Sequence, residues 1–205
     1  MGWITRGRIW QAMGMPPLYL AQEPAADELL ANDPLALLIG MLLDQQIPLE
    51  KAFVGPYRLA ERLGVTRLSA RDLAAHDPED FARIFATPPA IHRFPAAMAE
   101  RTQKLCRLVV EEYDGDAAAV WTGARDGAAL LRRVSALPGF GTQKAQIFVA
   151  LLGKQLAVRP PGWRAAAGEF GAPGTYRSVA DITDQASLVK VRDYKKQQKA
   201  AAKAR

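Results

Sequence analysis

One cysteine, Cys106, and two histidines, His76 and His92, are all the thiols and imidazoles that the 205 residues offer. A single thiol closes no disulfide within the chain. It cannot supply the four-cysteine set of an iron–sulfur cluster or a structural zinc. Cys106 sits in the apolar run KLCRLVV, which predicts a buried, unreactive thiol. Long apolar runs are scarce as well. LALLIGMLL at 35–43 is too short to cross a bilayer, which takes about 20 residues, and reads as a core helix. No membrane partner is expected. The opening MGWITRGRIWQAMGM has neither a long apolar stretch nor a small-residue cleavage pattern, so no export signal is expected. Residues 1–14 read as a flexible extension or an upstream start. A reducing cytoplasm is the expected location. Alternating apolar segments and fixed-period repeats are also missing, which leaves an all-α reading.

What is present is enough apolar material for a core: 49% of residues are hydrophobic, which suits one large domain or two packed lobes. The charge is uneven. Lys+Arg number 27 against 21 Asp+Glu. The segment 190–205 holds seven of the basic residues and one acid, Asp193, so the remainder is formally neutral. A basic segment at 189–205 is either a nucleic-acid contact or a solubilising helix end.

Helix signals run through the chain. Asp33-Pro34 and Asp77-Pro78 each set a capping carboxylate before a proline at the first helical position. Helices are predicted over 34–46, broken by Pro48, and over 49–63, stopped by Gly64. Ser69 caps a short helix, with Asp72 three positions on, and His76 reads as a helix C-terminal residue that favours the dipole. Pro95 opens a long helix to 113, Asp126 caps one to 136, and another spans 142–156. Residues 158–176, rich in Pro, Gly and Ala, are predicted to be a loop with at most one helical turn. A last helix begins near Ser187.

Between two of these helices lies the turn PGFG, in LPGFGTQKA at 137–145. Gly139 and Gly141 lack a Cβ and let another backbone come close. The following helix offers unpaired N–H groups at its positive end, where a phosphate is the natural guest. The plainer alternative is a helical hairpin whose glycines allow close packing.

LPGFGTQKA resembles the helix-hairpin-helix turn of base-excision DNA glycosylases in the endonuclease III superfamily, the HhH-GPD group. The resemblance extends to GAALLRRVSALPGFG at 127–141, KLCRLVVEEYDGD at 104–116 and IGMLLDQQIPLEKA at 39–52, in order, over about residues 34–156. It implies a two-lobed all-α domain over 15–188, with the hairpin at 129–156, acting as a monomer on double-stranded DNA in the cytoplasm at the nucleoid. By the same resemblance, Gly139 and Gly141 bring N–H groups to a phosphate. The carbonyls of Leu137 and Gly139 are candidates to hold a monovalent cation there. Gln143 and Lys144 lie at the strand. Gln46, with Gln45, fills the space left by a flipped nucleotide. No other cofactor is implied.

The chain departs from the pattern at the chemistry. Arg159 stands about where the resemblance puts the catalytic Asp. Gln143 stands where the lyase branch has its Lys, so any activity is expected to be monofunctional. Asp44, beside Gln45-Gln46, and Asp181, beyond the Gly-rich loop, are the candidate carboxylates; either is alternatively a helix cap. Arg93 and Phe94, beside His92, are candidate groove-rim residues or a packing motif ahead of Pro95. Trp163 with Arg159 and Arg164 either covers a flipped base or packs its loop onto the core. The expected function is a DNA N-glycosylase. The alternatives are a non-catalytic module for damaged duplex and a helical protein-interaction domain.

Overall fold

The computed structural model describes residues 18–203. The expected extension at 1–14 lies outside them. Among the described residues there are eleven α-helices, two short 3-10 turns and no strand, so the all-α reading stands.

Local capping decides where several helices begin. Asp33 accepts from the amides of Leu35 and Ala36 and opens α2, Pro34–Leu43. Its other oxygen accepts from Leu68 N at 2.8 Å, which ties α2 to the distant start of α4, Ala70–Ala75. Asp77 caps α5, Pro78–Ala86, and Asp126 caps α8, Gly127–Ser135. α3 runs Leu49–Leu63 and ends at Gly64 in a left-handed conformation, φ 67°, which glycine adopts without a Cβ clash. α6 spans Pro95–Tyr113 and α9 spans Thr142–Gln155.

α2 is apolar on every side, and every residue from Leu35 to Leu43 is buried. A helix of that kind belongs in the core. It packs against α3 and α1, Pro24–Asn32. α9 lies against α8 and carries the buried run from Phe148 to Gly153. Two expectations need correction. α2 stops at Leu43 rather than near Gln46, because the chain turns at Asp44 and Gln46 takes a left-handed φ of 57°. The 158–176 segment holds two short helical pieces, α10 at Trp163–Ala166 and a 3-10 turn at Gly168–Gly171. Both are organised by the burial of Trp163 and Phe170, a tertiary cause the local composition does not carry.

Candidate nucleic-acid interface

The hairpin turn is a type II β-turn. Leu137 O accepts from Phe140 N at 3.0 Å, Pro138 takes the second position, and Gly139 the third with φ +83°. Phe140 is buried and meets Phe148 edge-on, with centroids 5.8 Å apart, which fixes the turn to α9. The two glycines serve different ends. A Cβ on Gly139 would lie 2.4 Å from Leu42 Cδ1, so this glycine lets the turn rest on α2. A Cβ on Gly141 would meet nothing within 4 Å, and its backbone is ordinary extended chain, φ −67° and ψ 168°. Gly141 is also the N-cap of α9 and supplies no side chain to cap it. The first amides of α9 therefore have no helical acceptor and border open space.

Opposite the turn lies the corner 44–46. Lys144 reaches from α9 and donates to the carbonyls of Met41 at 2.7 Å, Leu42 at 3.2 Å and Asp44 at 3.2 Å. Three ammonium protons meet three carbonyls at the C-terminal end of α2, where the helix dipole favours a cation. Burial lowers the Lys144 pKa to about 8, the nearby Asp44 carboxylate opposes that, and Arg101 adds to it. Asp44 itself is half-buried.

The two glutamines are not equivalent. Gln45 Nε2 donates to Leu42 O at 2.7 Å, and its side-chain oxygen accepts from Arg101 at 3.0 Å. Its backbone oxygen accepts from His92 Nε2 at 2.9 Å. His92 Nδ1 accepts a hydrogen bond from the amide of Phe94 at 3.1 Å, which fixes the neutral Nε2–H tautomer. Burial also lowers the His92 pKa. Gln46 is exposed, and among the described residues its side chain has no hydrogen bond. Gln45 is thus a strut and Gln46 the free amide.

His92 links this corner to Arg93 and Phe94. Both are exposed, Phe94 at 42%, and the Arg93 guanidinium lies 4.7 Å from the Phe94 ring centroid. Among the described residues neither Arg93 nor Arg101 pairs with a carboxylate. Sequence reasoning missed Arg101. It lies in the second turn of α6 with no motif around it, and only the fold brings it to Gln45 from 56 residues away.

Other candidate residues stand elsewhere or in different roles. Trp163 is buried, 5% exposed, and occupies the space over Gly153, where a Cβ would come within 2.3 Å of its ring. It packs its loop on the core and is not a groove rim. Arg159 Nε donates to Gly153 O at 2.7 Å near the end of α9. Asp181 is buried in a capping box with Ser178 and pairs with Lys154 at 2.5 Å. Lys154 is ten residues along α9 from Lys144, about 15 Å at the helical rise. Asp181 is therefore a cap and ion-pair partner remote from the 44–46 corner. Gln143 is exposed on the first turn of α9. Cys106 is fully buried, and burial pushes its thiol up to about 12.

Among the described residues no group of three or more His, Cys, Asp or Glu could hold a metal ion, and no helix is long and apolar enough to cross a membrane. The described chain is an all-α protein whose hairpin turn abuts a polar corner at the end of a buried helix. It matches no family model, no curated protein and no solved structure.

Proposed function

We propose that this chain is a DNA-binding base-excision repair protein, a monofunctional DNA N-glycosylase of the two-lobed helix-hairpin-helix type that acts as a monomer on double-stranded DNA at the nucleoid. The observation that carries the reading is the junction of hairpin and corner. Gly139 rests on Leu42, and Lys144 holds the carbonyls of Met41, Leu42 and Asp44. An open anion-accepting turn thus borders a half-buried carboxylate and a free glutamine amide.

In this reading the amides after Gly141 take a phosphate of one strand, with any monovalent cation held at the Leu137 and Gly139 carbonyls. Arg93 and Arg101 take further backbone charge, and Phe94 offers a stacking face. Gln46 enters the stack where the damaged nucleotide has swung out. Water attacks C1′ of the sugar as the C1′–N bond breaks. Asp44 stabilises the positive charge that develops on the sugar and accepts the proton from water. Asp44 then gives up that proton to solvent, from which the leaving nitrogen of the base takes one, so the products are the free neutral base and an abasic sugar. Lys144 donates to three carbonyls and does not serve as the nucleophile, in keeping with a hydrolytic, non-lyase route.

One observation favours the second reading, a non-catalytic module that binds distorted duplex. Arg159, where the resemblance puts the catalytic Asp, is a cation bonded to Gly153 O. A base-release assay decides between them. Duplexes carrying uracil, alkylated purines, oxidised bases and mismatches are incubated with the protein and then cleaved with hot alkali at abasic sites. Release that disappears in Asp44→Asn supports the glycosylase. Salt-dependent binding with no release from any duplex selects the module. The absence of any salt-dependent duplex binding removes both.

A further inference from the structure

α11, Gln185–Lys203, outruns the body of the protein. Its first half is seated: Leu188 and Val191 are buried, Lys190 Nζ lies 4.4 Å from the Tyr176 ring centroid, and Arg192 pairs with Glu50. From 195 to 202 every residue is exposed. A helix that buries no face gains nothing from packing and depends on propensity alone. Its charges weaken it further. Lys195 and Lys199 stand four apart on one face, where like charges repel, and no acid follows Asp193. Among the described residues, Lys195, Lys196 and Lys199 have no ion-pair partner. A projecting helix of one sign is complemented by a polyanion.

Where the helix leaves the body indicates which polyanion. Arg192 lies three residues before Lys195, and its partner Glu50 lies four residues after Gln46 in the first turn of α3. The Arg192–Glu50 pair thus ties α11, just before its exposed segment, to the helix that follows the corner of the candidate interface. We propose that residues 195–203 form a second DNA-contacting arm, which lies along the phosphate backbone of the duplex that the hairpin grips. This rests on the DNA-binding reading above and extends it. Nine residues of helix cover about 13 Å, alongside roughly eight phosphates of the two strands. Lysine is a flexible point charge, so the arm adds affinity and salt dependence and reads no base sequence.

The test compares the wild type with a triple variant, Lys195→Gln, Lys196→Gln and Lys199→Gln, by anisotropy of a short fluorescent duplex across salt. These side chains are exposed and, among the described residues, form no ion pair, so the variant melts no lower than the wild type. With about 0.9 counterions released per phosphate, the plot of log affinity against log salt becomes less steep by about 3. The advantage of the wild type then shrinks roughly 40-fold between about 50 and 200 mM salt. Equal slopes, with the wild type still binding, overturn the arm and leave the interface standing. Failure of the wild type to bind duplex overturns both. Equal slopes together with loss of binding to anionic phospholipid vesicles assign the segment to a membrane surface and overturn the arm.

Discussion

Lys144 Nζ lies 2.7 Å from the carbonyl oxygen of Met41, across 103 residues of chain. The helix that follows the hairpin thereby closes the end of the helix that precedes Asp44, Gln45 and Gln46. Methionine at 144 keeps the side-chain length and removes the donors, so the carbonyls of Met41, Leu42 and Asp44 lose their partner. Lys144→Met is expected to cost about 1–3 kcal/mol in urea unfolding. Duplex affinity should fall with it, because the corner is no longer pinned to the turn. Unchanged stability and unchanged binding would contradict the pinning role.

The same lysine gives stability a pH dependence of definite sign. Its unfolded pKa is 10.5, and burial brings the folded value to about 8. Between these values the unfolded chain holds a proton that the folded chain has released, so this group makes stability rise with pH across the window. The cost of the buried charge is present in full below about pH 8. Urea unfolding of wild type and Lys144→Met from about pH 8 to about pH 10.5 is expected to show their difference widening in favour of the wild type. A difference that narrows or stays flat refutes the assignment.

The two glycines of the turn separate folding from binding. Gly139→Ala combines φ +83° with a Cβ 2.4 Å from Leu42 and should lose about 1–3 kcal/mol. Gly141→Ala has open space and a backbone that alanine accepts, so its stability should stay within about 1 kcal/mol of wild type or rise. Its duplex affinity should nevertheless fall by about tenfold, roughly 1.4 kcal/mol, because the methyl holds the phosphate off the amides. Full affinity in a folded Gly141→Ala protein would remove the phosphate grip.

Asp44 and Asp181 should respond oppositely to the same change. Asp44→Asn is expected to fold and bind as wild type while base release is lost. Asp181→Asn weakens a buried pair with Lys154 and a capping box, and its unfolding free energy should drop by about 2–4 kcal/mol. Base release per folded molecule should be retained in Asp181→Asn. The reverse pattern would transfer the carboxylate role to Asp181.

Cys106 should ignore thiol reagents in the native protein. It is fully buried, and its thiol sits at about 12. Labelling is expected to follow global unfolding across a urea series. Rapid labelling without denaturant would show a local opening of α6.

Much of the helical frame was legible because its signals act within a few residues. Asp33 and Asp126 find amides two and three positions on, and Gly64 adopts the left-handed conformation that ends α3. The apolar run 35–43 marked a buried helix. The candidate interface was legible in its glycines, the 44–46 triplet, Lys144 and the Arg93-Phe94 pair, but not in how they connect. Nothing local says that Gln45 is a strut and Gln46 is free, since the difference comes from Arg101 and His92, 56 and 47 residues away. Trp163 carries the composition of a ligand-covering loop, yet the absent side chain of Gly153 draws it inward.

The sequence by itself determined that the described chain is helical and that a glycine turn separates α8 from α9, because capping, propensity and apolar period are properties of neighbouring residues. Tertiary structure alone decided that Lys144 meets the end of α2, that Asp181 pairs with Lys154 far from Asp44, and that Arg101 reaches Gln45. Those facts depend on which buried surfaces pack together, and packing pairs residues by shape and by unsatisfied polar groups rather than by their distance along the chain.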